Sequence, residues 1–285
     1  MTKCFLSPFY LLTHSSSYTL LADARFAVQH VDVRAVVAGK RGQQTEERPY
    51  TPISLVEGGA CGGGGGGGDG GGAGAGNAGV DGYFEIAVKV YDDGALSRHL
   101  AALPPGAAVE MRLALPSVTY QPAAARMAFA GQPSQRVTAV GLVGGGSGVT
   151  PFVQLLQAAF GGQPAAAATG GAAPPKVGSS HPRVAFSLLY CSHEEADIML
   201  RRELEALATA HAAELALTYA VSEGEVQGWG RVANGRRVDE ALLRDTMPAP
   251  GPGVVVLLCG PPMFNDAVRQ ALVAIGHAQR QVHQL

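Results

Sequence analysis

Beyond residue 136, the chain alternates short apolar runs with longer amphipathic ones, and this alternation constrains the fold more than any other feature. Three apolar runs predict buried strands, and each is followed by a segment that predicts a helix: Val137–Val143 then Pro151–Phe160, Val184–Tyr190 then Asp197–His211, and Val254–Cys259 then Pro262–Ile275. Buried strands that alternate with helices form a parallel sheet with right-handed crossovers. The sequence therefore predicts a doubly wound, Rossmann-like α/β domain over residues 136–285.

The first part of the chain has a pattern that is typical of short antiparallel strands. Alternating runs at Gln29–Val36, Tyr83–Tyr91 and Ala108–Leu115 are separated by turn signals, which predicts an antiparallel β-barrel domain over residues 1–125. The first two dozen residues are Ser-rich and contain no acid before Asp23, which fits either a weak transit peptide or an N-terminal edge strand. A barrel followed by a doubly wound sheet has a natural ligand cleft between its two domains.

Two stretches of low complexity interrupt these patterns. Residues from about 57 to 82 are mostly glycine, and residues from about 161 to 182 are mostly alanine, glycine and proline. Neither stretch can bury enough apolar surface to offset the entropy lost on ordering, so both are predicted to be flexible insertions. The glycine run is not expected to bind phosphate, because no strand leads into it and no helix follows it.

Composition excludes several classes of function. The chain has 21 basic and 23 acidic residues, so nucleic acid is not an expected partner. Its four cysteines, at positions 4, 61, 191 and 259, form no C-x-x-C pair, so we expect no metal site, no disulfide framework and a reducing compartment. No window reaches the roughly 18 to 20 apolar residues of a membrane helix.

A glycine-rich segment, Gly144–Pro151, directly follows the first strand of the α/β domain and opens its first helix. Glycines let the backbone approach a pyrophosphate closely, and the free amides of a helix start face the anion. Pro151 suits a first helical turn, where no amide donor is lost. The alternative is a turn without a ligand, but the carboxyl end of a parallel strand favours a nucleotide site.

Two further segments lie at the predicted carboxyl ends of strands. In Leu257–Met263, Cys259 is small enough to lie beside a flat ring, although a cysteine at a buried strand end is more often a small hydrophobic residue. In Leu188–Ile198, Asp197 either caps the following helix or faces a ligand, and capping is the simpler local interpretation.

The barrel half offers two candidate binding segments. Arg48–Pro52 closes a strand with an arginine, an aromatic ring and a hydroxyl, which could contact a phosphate, a ring and a polar ring edge; such a segment is otherwise an ordinary strand end. Gly94–Ser97 opens a helix over Ser97–Leu103, whose first amides could hold a second phosphate.

Five segments in order resemble the motifs of the NADH-cytochrome b5 reductase family, and the resemblance covers about residues 28–276. This family is a group of ferredoxin-reductase-like flavoproteins that includes the flavin domain of nitrate reductase. The five segments are Arg48–Ser54, Ala87–Tyr91 with Gly94–Ser97, Gly144–Pro151, Leu188–Arg201 and Cys259–Met263. The resemblance implies an FAD-binding barrel and an NAD-binding α/β domain.

The resemblance also implies roles by position. An FAD site would be formed by Arg48, Pro49, Tyr50, Thr51, Ala87, Lys89, Tyr91, Gly94, Ala95, Leu96, Ser97 and Thr150. An NADH site would be formed by Gly145, Gly146, Tyr190, Asp197, Cys259, Gly260, Pro261 and Met263. Thr51, Lys89 and Cys259 would lie closest to the reaction, Arg48 would bind the FAD pyrophosphate, and Asp197 would face the adenosine ribose and favour NADH over NADPH.

The implied function is hydride transfer from NADH to FAD, followed by release of single electrons to a small haem protein such as cytochrome b5. One alternative is the reductase arm of a nitrate-reductase-like system, and another is a degenerate flavoprotein that binds nucleotide without turnover. The expected state is an intracellular monomer without a transmembrane segment, either cytosolic or on the cytosolic face of the endoplasmic reticulum or mitochondrial membrane, with organelle import as the alternative.

Overall fold

A computed structural model describes residues 4–6, 9–15, 27–39, 42–56, 83–160 and 182–285. Both predicted flexible insertions, apart from Pro182, lie outside these residues. Within the described part of the chain, no helix is long and apolar enough to cross a membrane.

The first part consists of three antiparallel sheets, as the alternating pattern predicts. They have the strand orders β1-β2-β7-β6, β5-β4-β8 and β11-β10-β9-β3. The strands are β1 Cys4–Leu6, β2 Phe9–Ser15, β3 Ala27–Val28, β4 Val31–Gly39, β5 Gly42–Tyr50, β6 Pro52–Val56, β7 Tyr83–Lys89, β8 Glu110–Leu113, β9 Val118–Gln121, β10 Arg126–Phe129 and β11 Gln135–Arg136. Helix α1, Ala95–Ala102, follows β7 and buries Leu96 and Leu100. Strand β1 lies at the edge of its sheet and pairs with β2, in line with the interpretation of the N-terminal region as an edge strand.

The second part is a six-stranded parallel sheet in the order β15-β14-β13-β12-β16-β17, which confirms the predicted doubly wound architecture. Its elements are β12 Ala139–Gly145, α2 Thr150–Phe160, β13 Ala185–Ser192, α3 Arg201–Ala210, β14 Leu215–Val221, β15 Val232–Asn234, α4 Glu240–Thr246, β16 Val254–Cys259, α5 Pro262–Ala274 and β17 Val282–Gln284. Strands β12 and β16 are apolar on both faces because helices cover both sides of a parallel sheet.

Helix α3 begins later than the sequence predicts. A 3-10 turn covers Glu195–Asp197, and the helix starts at Arg201 because Leu200 adopts a left-handed conformation, with φ of 54°. A left-handed residue cannot continue a right-handed helix. The interpretation of Asp197 as the cap of this helix is therefore wrong, since the position before the helix is Leu200 and no side chain caps it.

The two parts share an apolar core. Buried residues from the antiparallel sheets, among them Ile53 and Met127, belong to the same cluster as Phe152 and Leu156 of α2. Two hydrogen bonds also join α2 to the first part: the Gln29 amide donates to Gln154 Oε1 at 2.8 Å, and Gln157 Nε2 donates to the Ile53 carbonyl at 2.9 Å. Helix α2 therefore sets how the antiparallel sheets stand against the parallel sheet.

Candidate functional site

The predicted nucleotide segments meet at one edge of the parallel sheet. Gly144 of β12 lies opposite Tyr190 of β13 on one side and opposite Cys259 of β16 on the other. The chain leaves β12 towards β13 and β14, and it returns to the other side of β12 with β16. This reversal creates a crevice at the carboxyl ends of β12 and β16, which is where open parallel sheets bind their ligands.

Two glycine turns pack against each other in this crevice. A Cβ atom placed on Gly148 would stand 2.1 Å from the carbonyl oxygen of Cys259, and one on Gly260 would stand 2.6 Å from the ring of Phe264. A Cβ on Gly145 would also lie 3.0 Å from that ring. Gly148 is therefore required by the close approach of two main chains, and Gly145 and Gly260 by the close approach of the Phe264 ring. The glycines leave the crevice lined by main chain, as a site for a pyrophosphate needs.

Phe264 and Asn265 belong to this site, although the motif residues alone do not indicate them. The Phe264 ring lies against both glycine turns, and Asn265 Nδ2 donates to the Gly260 carbonyl at 2.8 Å. Both residues lie in the first turn of α5, four and five positions after Gly260. The signal available in the sequence was an aromatic residue one helical turn beyond a strand-end glycine.

Cys259 has the character of a small neutral group. It is half-buried at the end of β16, and burial raises the pKa of its thiol to about 11. The thiol therefore stays protonated at neutral pH and is a poor nucleophile. This environment suits contact with a flat ring better than covalent chemistry.

The predicted flavin segment lies at the end of β5. Thr51 is buried, and burial raises the pKa of the Tyr50 hydroxyl to about 12, so this hydroxyl remains a hydrogen-bond donor. Arg48 is 60% exposed, with Nη2 3.4 Å from the Glu46 carboxylate and Nη1 donating to the Glu47 carbonyl at 2.8 Å. An arginine held in this way keeps donors available for a phosphate.

The start of α1 has the form expected of a phosphate site. Ser97 is buried, and its Oγ donates to the Gly94 carbonyl at 3.1 Å and accepts from the Tyr91 amide at 3.3 Å. A Cβ on Gly94 would lie 2.4 Å from this oxygen, so only glycine fits. No side chain caps α1, which leaves its first amides, at Ala95 and Leu96, to other acceptors.

Residues predicted for FAD and for NADH meet between the two parts. Lys89 Nζ donates to Asp197 Oδ1 at 2.6 Å and lies 5.6 Å from the centroid of the Tyr91 ring. A Cβ on Gly146 would lie 3.6 Å from the Tyr91 hydroxyl, so this hydroxyl reaches the glycine-rich turn. The fold therefore brings β7 of the first part to the nucleotide edge of the second.

Other predicted residues lie in different surroundings. Tyr190 is completely buried, and its hydroxyl accepts from the Met199 amide at 3.0 Å, so its side chain belongs to the core. Ala87 is also buried in the core, whereas Pro49, Pro261 and Met263 are exposed. Thr150 begins α2, and its buried hydroxyl donates to the Ser147 carbonyl at 3.1 Å.

Comparison with known proteins shows similarity to oxidoreductases that bind a nicotinamide nucleotide. Residues 142–270 match the model of the oxidoreductase NAD-binding domain family. NADH-cytochrome b5 reductase 1 of Dictyostelium discoideum is 27% identical over 89% of this chain and 68% of its own length; the protein of that name from Lodderomyces elongisporus is 27% identical over 87% and 63%. The chain thus spans about two thirds of these relatives. The cytochrome b5 reductase domain of Ulva prolifera nitrate reductase superposes with a TM-score of 0.73 at 23% identity, covering all of this chain and 94% of the domain.

The antiparallel sheets, the doubly wound sheet and the match to the NAD-binding family define an oxidoreductase of the ferredoxin-reductase-like class. Within this class, the predicted resemblance to the NADH-cytochrome b5 reductase family is confirmed by both curated relatives. The predictions of a flavoprotein enzyme and of FAD and NADH as its cofactors are confirmed with it.

Proposed function

We propose that the protein oxidises NADH through bound FAD and passes electrons singly to a small haem protein of the cytochrome b5 type. Residues 1–125 would form the FAD-binding domain and residues 136–285 the NAD-binding domain. The observation that carries the proposal is the meeting of Lys89 and Tyr91, from the predicted flavin segment, with Gly146 and Asp197, from the predicted nucleotide segments. Two sites that share one cleft allow two rings to react directly.

The chain offers suitable groups for each portion of FAD. Arg48 and the uncapped start of α1 supply a guanidinium and free amides for the pyrophosphate, since both are donor-only groups. Tyr50 supplies an aromatic ring with a protonated hydroxyl, and Thr51 supplies a buried hydroxyl next to it. Bound FAD would supply the two-electron to one-electron redox chemistry.

The second part would hold NADH by its backbone. The turns Gly145–Gly148 and Cys259–Gly260 form the wall of the crevice, and the helix starts of α2 and α5 follow them directly. Hydride transfer between two cofactors needs alignment at roughly 3 to 3.5 Å more than it needs an acid or base. The protein would therefore contribute position, with Lys89 placing its ammonium beside the reacting rings.

We propose cytochrome b5 as the electron acceptor because the relatives are named as reductases of cytochrome b5. The fold match to the reductase domain of a nitrate reductase favours a second candidate, the reductase arm of a system with a separate haem or molybdenum partner. We also propose that the enzyme is an intracellular monomer.

Purification under mild conditions tests the central proposal. We expect a yellow protein whose flavin absorbance bleaches on anaerobic addition of NADH and which reduces ferricyanide. A colourless protein that cannot be reconstituted with FAD would instead indicate a degenerate nucleotide-binding protein. Steady-state reduction of cytochrome b5, compared with ferricyanide and with the haem domain of a nitrate reductase, then distinguishes the two acceptors.

A further inference from the structure

The ion pair between Lys89 and Asp197 connects the two parts of the chain at the cleft. Lys89 is the last residue of β7, and Asp197 ends the 3-10 turn that follows β13. Their charged atoms are 2.6 Å apart, and the two side chains are only 13% and 19% exposed. Salt screens a shielded pair much less than it screens a pair on the surface.

The surroundings of Lys89 hold its ammonium in one place. The ammonium lies 5.6 Å from the centroid of the Tyr91 ring, within the range of a cation–π interaction. The same ring carries its hydroxyl to Gly146 in the glycine-rich turn. A carboxylate and an aromatic ring thus hold the ammonium next to the predicted nucleotide site.

The turn that carries Asp197 is otherwise held within the second part. Its Met199 amide donates to Tyr190, and its Glu195 carboxylate accepts from Arg201 and from the Gln227 amide. Asp197 joins this turn to β7 through its ion pair with Lys89. The parts are also joined by α2, through Gln154 and Gln157, and by the shared apolar core.

Because of this pairing, Asp197 is not free to select the nucleotide by charge alone. One of its oxygens accepts from Lys89 at hydrogen-bond distance, and the positive charge offsets the negative one. Arg201, the cation closest in sequence on α3, is likewise compensated by Glu195 and Glu205. Asp197, Glu195 and Arg201 are therefore all paired within the protein.

We propose that Asp197 is a positioning residue: it holds Lys89 beside the reacting rings and fixes the β13–α3 turn against the flavin domain, instead of selecting NADH through the adenosine ribose. This inference rests on the proposed function for its kinetic consequence but on geometry alone for the pair itself.

The test compares wild type with Asp197→Asn, Lys89→Met, the double variant and Asp197→Glu. A matched control is Glu240→Gln, which removes an exposed ion pair with Arg244 on α4, 3.0 Å long. We expect each single variant to lower kcat/KM for NADH by roughly tenfold, mainly through kcat, because misplaced groups slow transfer more than binding. The double variant should be no worse than the poorer single variant, because both changes remove one interaction. Asp197→Glu should restore part of the rate, and the control should match wild type.

The preference for NADH over NADPH distinguishes a positioning role of Asp197 from a role in selecting the nucleotide through its adenosine ribose. We expect the ratio of kcat/KM for NADH and NADPH to change less than about twofold in both single variants, since neither residue discriminates by charge. If Asp197→Asn narrows this ratio about tenfold while Lys89→Met leaves it unchanged, Asp197 faces the ribose and the positioning role is overturned. Additive losses in the double variant would also overturn it.

Thermal unfolding of the same proteins without nucleotide tests the pair independently of catalysis. We expect both single variants to unfold at lower temperature and the double variant to lose less than the sum of their shifts. If the wild type fails to oxidise NADH but the double variant still loses less than the sum of the single shifts, the proposed function is wrong and the ion pair is confirmed. If the shifts are additive, the pair itself is refuted.

Discussion

Gly148 lies so close to Cys259 that a Cβ atom on the glycine would stand 2.1 Å from the cysteine's carbonyl oxygen. The glycine belongs to the turn after β12, and the carbonyl ends β16, the neighbouring parallel strand. The wall of the nucleotide crevice is therefore made where two main chains touch. This wall can form only because Gly148 has no side chain.

Replacing Gly148 with alanine should disrupt the crevice. The obstructing atoms belong to the backbone, so one strand end must move, and overpacking of this kind costs about 1 to 3 kcal/mol. We expect a lower unfolding temperature and a higher KM for NADH, measured by thermal denaturation and by ferricyanide reduction. Gly230→Ala is the control, because no atom lies within 4 Å of the added Cβ. Equal behaviour of the two variants would show that the close contact does not matter.

Replacing Arg48 with alanine should weaken the retention of FAD. A charge-assisted hydrogen bond to phosphate contributes about 1.5 to 3 kcal/mol, which corresponds to roughly tenfold or more in affinity. We expect the variant to lose flavin during gel filtration, followed by absorbance and by FAD titration of the apoprotein. Arg34→Ala, on the adjacent strand and paired with Glu110, is the control. Full flavin occupancy of Arg48→Ala at nanomolar concentration would rule out a phosphate contact.

Deleting residues 59–79 should leave NADH oxidation nearly unchanged. Val56 ends β6 directly opposite Tyr83, which begins β7, so the two strands form an antiparallel pair that a short turn can close. The deletion leaves five residues between them, numbers 57, 58, 80, 81 and 82. Hairpin loops of this length are common, and shortening a loop costs little. A version in which the same residues become an equally long Gly-Ser sequence serves as control. A tenfold loss of ferricyanide turnover with FAD still bound, seen only in the deletion, would reveal a function of the segment's length.

Acid should destabilise the protein through the buried His277 and the half-buried His283. His277 is 2% exposed, and neither of its ring nitrogens has a partner among the described residues. Burial lowers the pKa of His277 below its usual value of about 6.5. Burial also lowers the pKa of His283, whose ring stacks on Phe129 at 3.5 Å.

Since the unfolded chain takes up protons more readily than the folded one, the contribution of these histidines to stability is complete above about pH 6.5 and is lost as the pH falls through their folded pKa. Denaturant unfolding at pH 7.5 and pH 5.5 measures the difference. We expect His277→Gln to reduce this pH dependence. A wild type equally stable at both pH values would contradict the argument.

Local patterns predicted most of the architecture because the periodicity of apolar residues in a strand or helix depends only on residues that are close in sequence. The run Val254–Cys259 has the same bounds as β16, and Pro151–Phe160 differs from α2 by one residue. Short elements without a strong period, such as β17 and α4, could not be predicted in this way. The predicted start of α3 was too early because no local sequence pattern indicates that Leu200 adopts a left-handed conformation.

For the site, the sequence by itself determined which backbone turns exist, since glycine, proline and small residues at strand ends dictate local conformation. It also determined the class of protein, because five such segments occur in a recognisable order. Only the tertiary structure decided how side chains distant in sequence pair. Lys89 and Asp197 are 108 positions apart, and the ion pair between them, like the contact of Phe264 with Gly145, depends on how α2 docks the parallel sheet onto the antiparallel ones. The physical reason is that charge pairing and close packing depend on distances across the folded molecule, which no local pattern encodes.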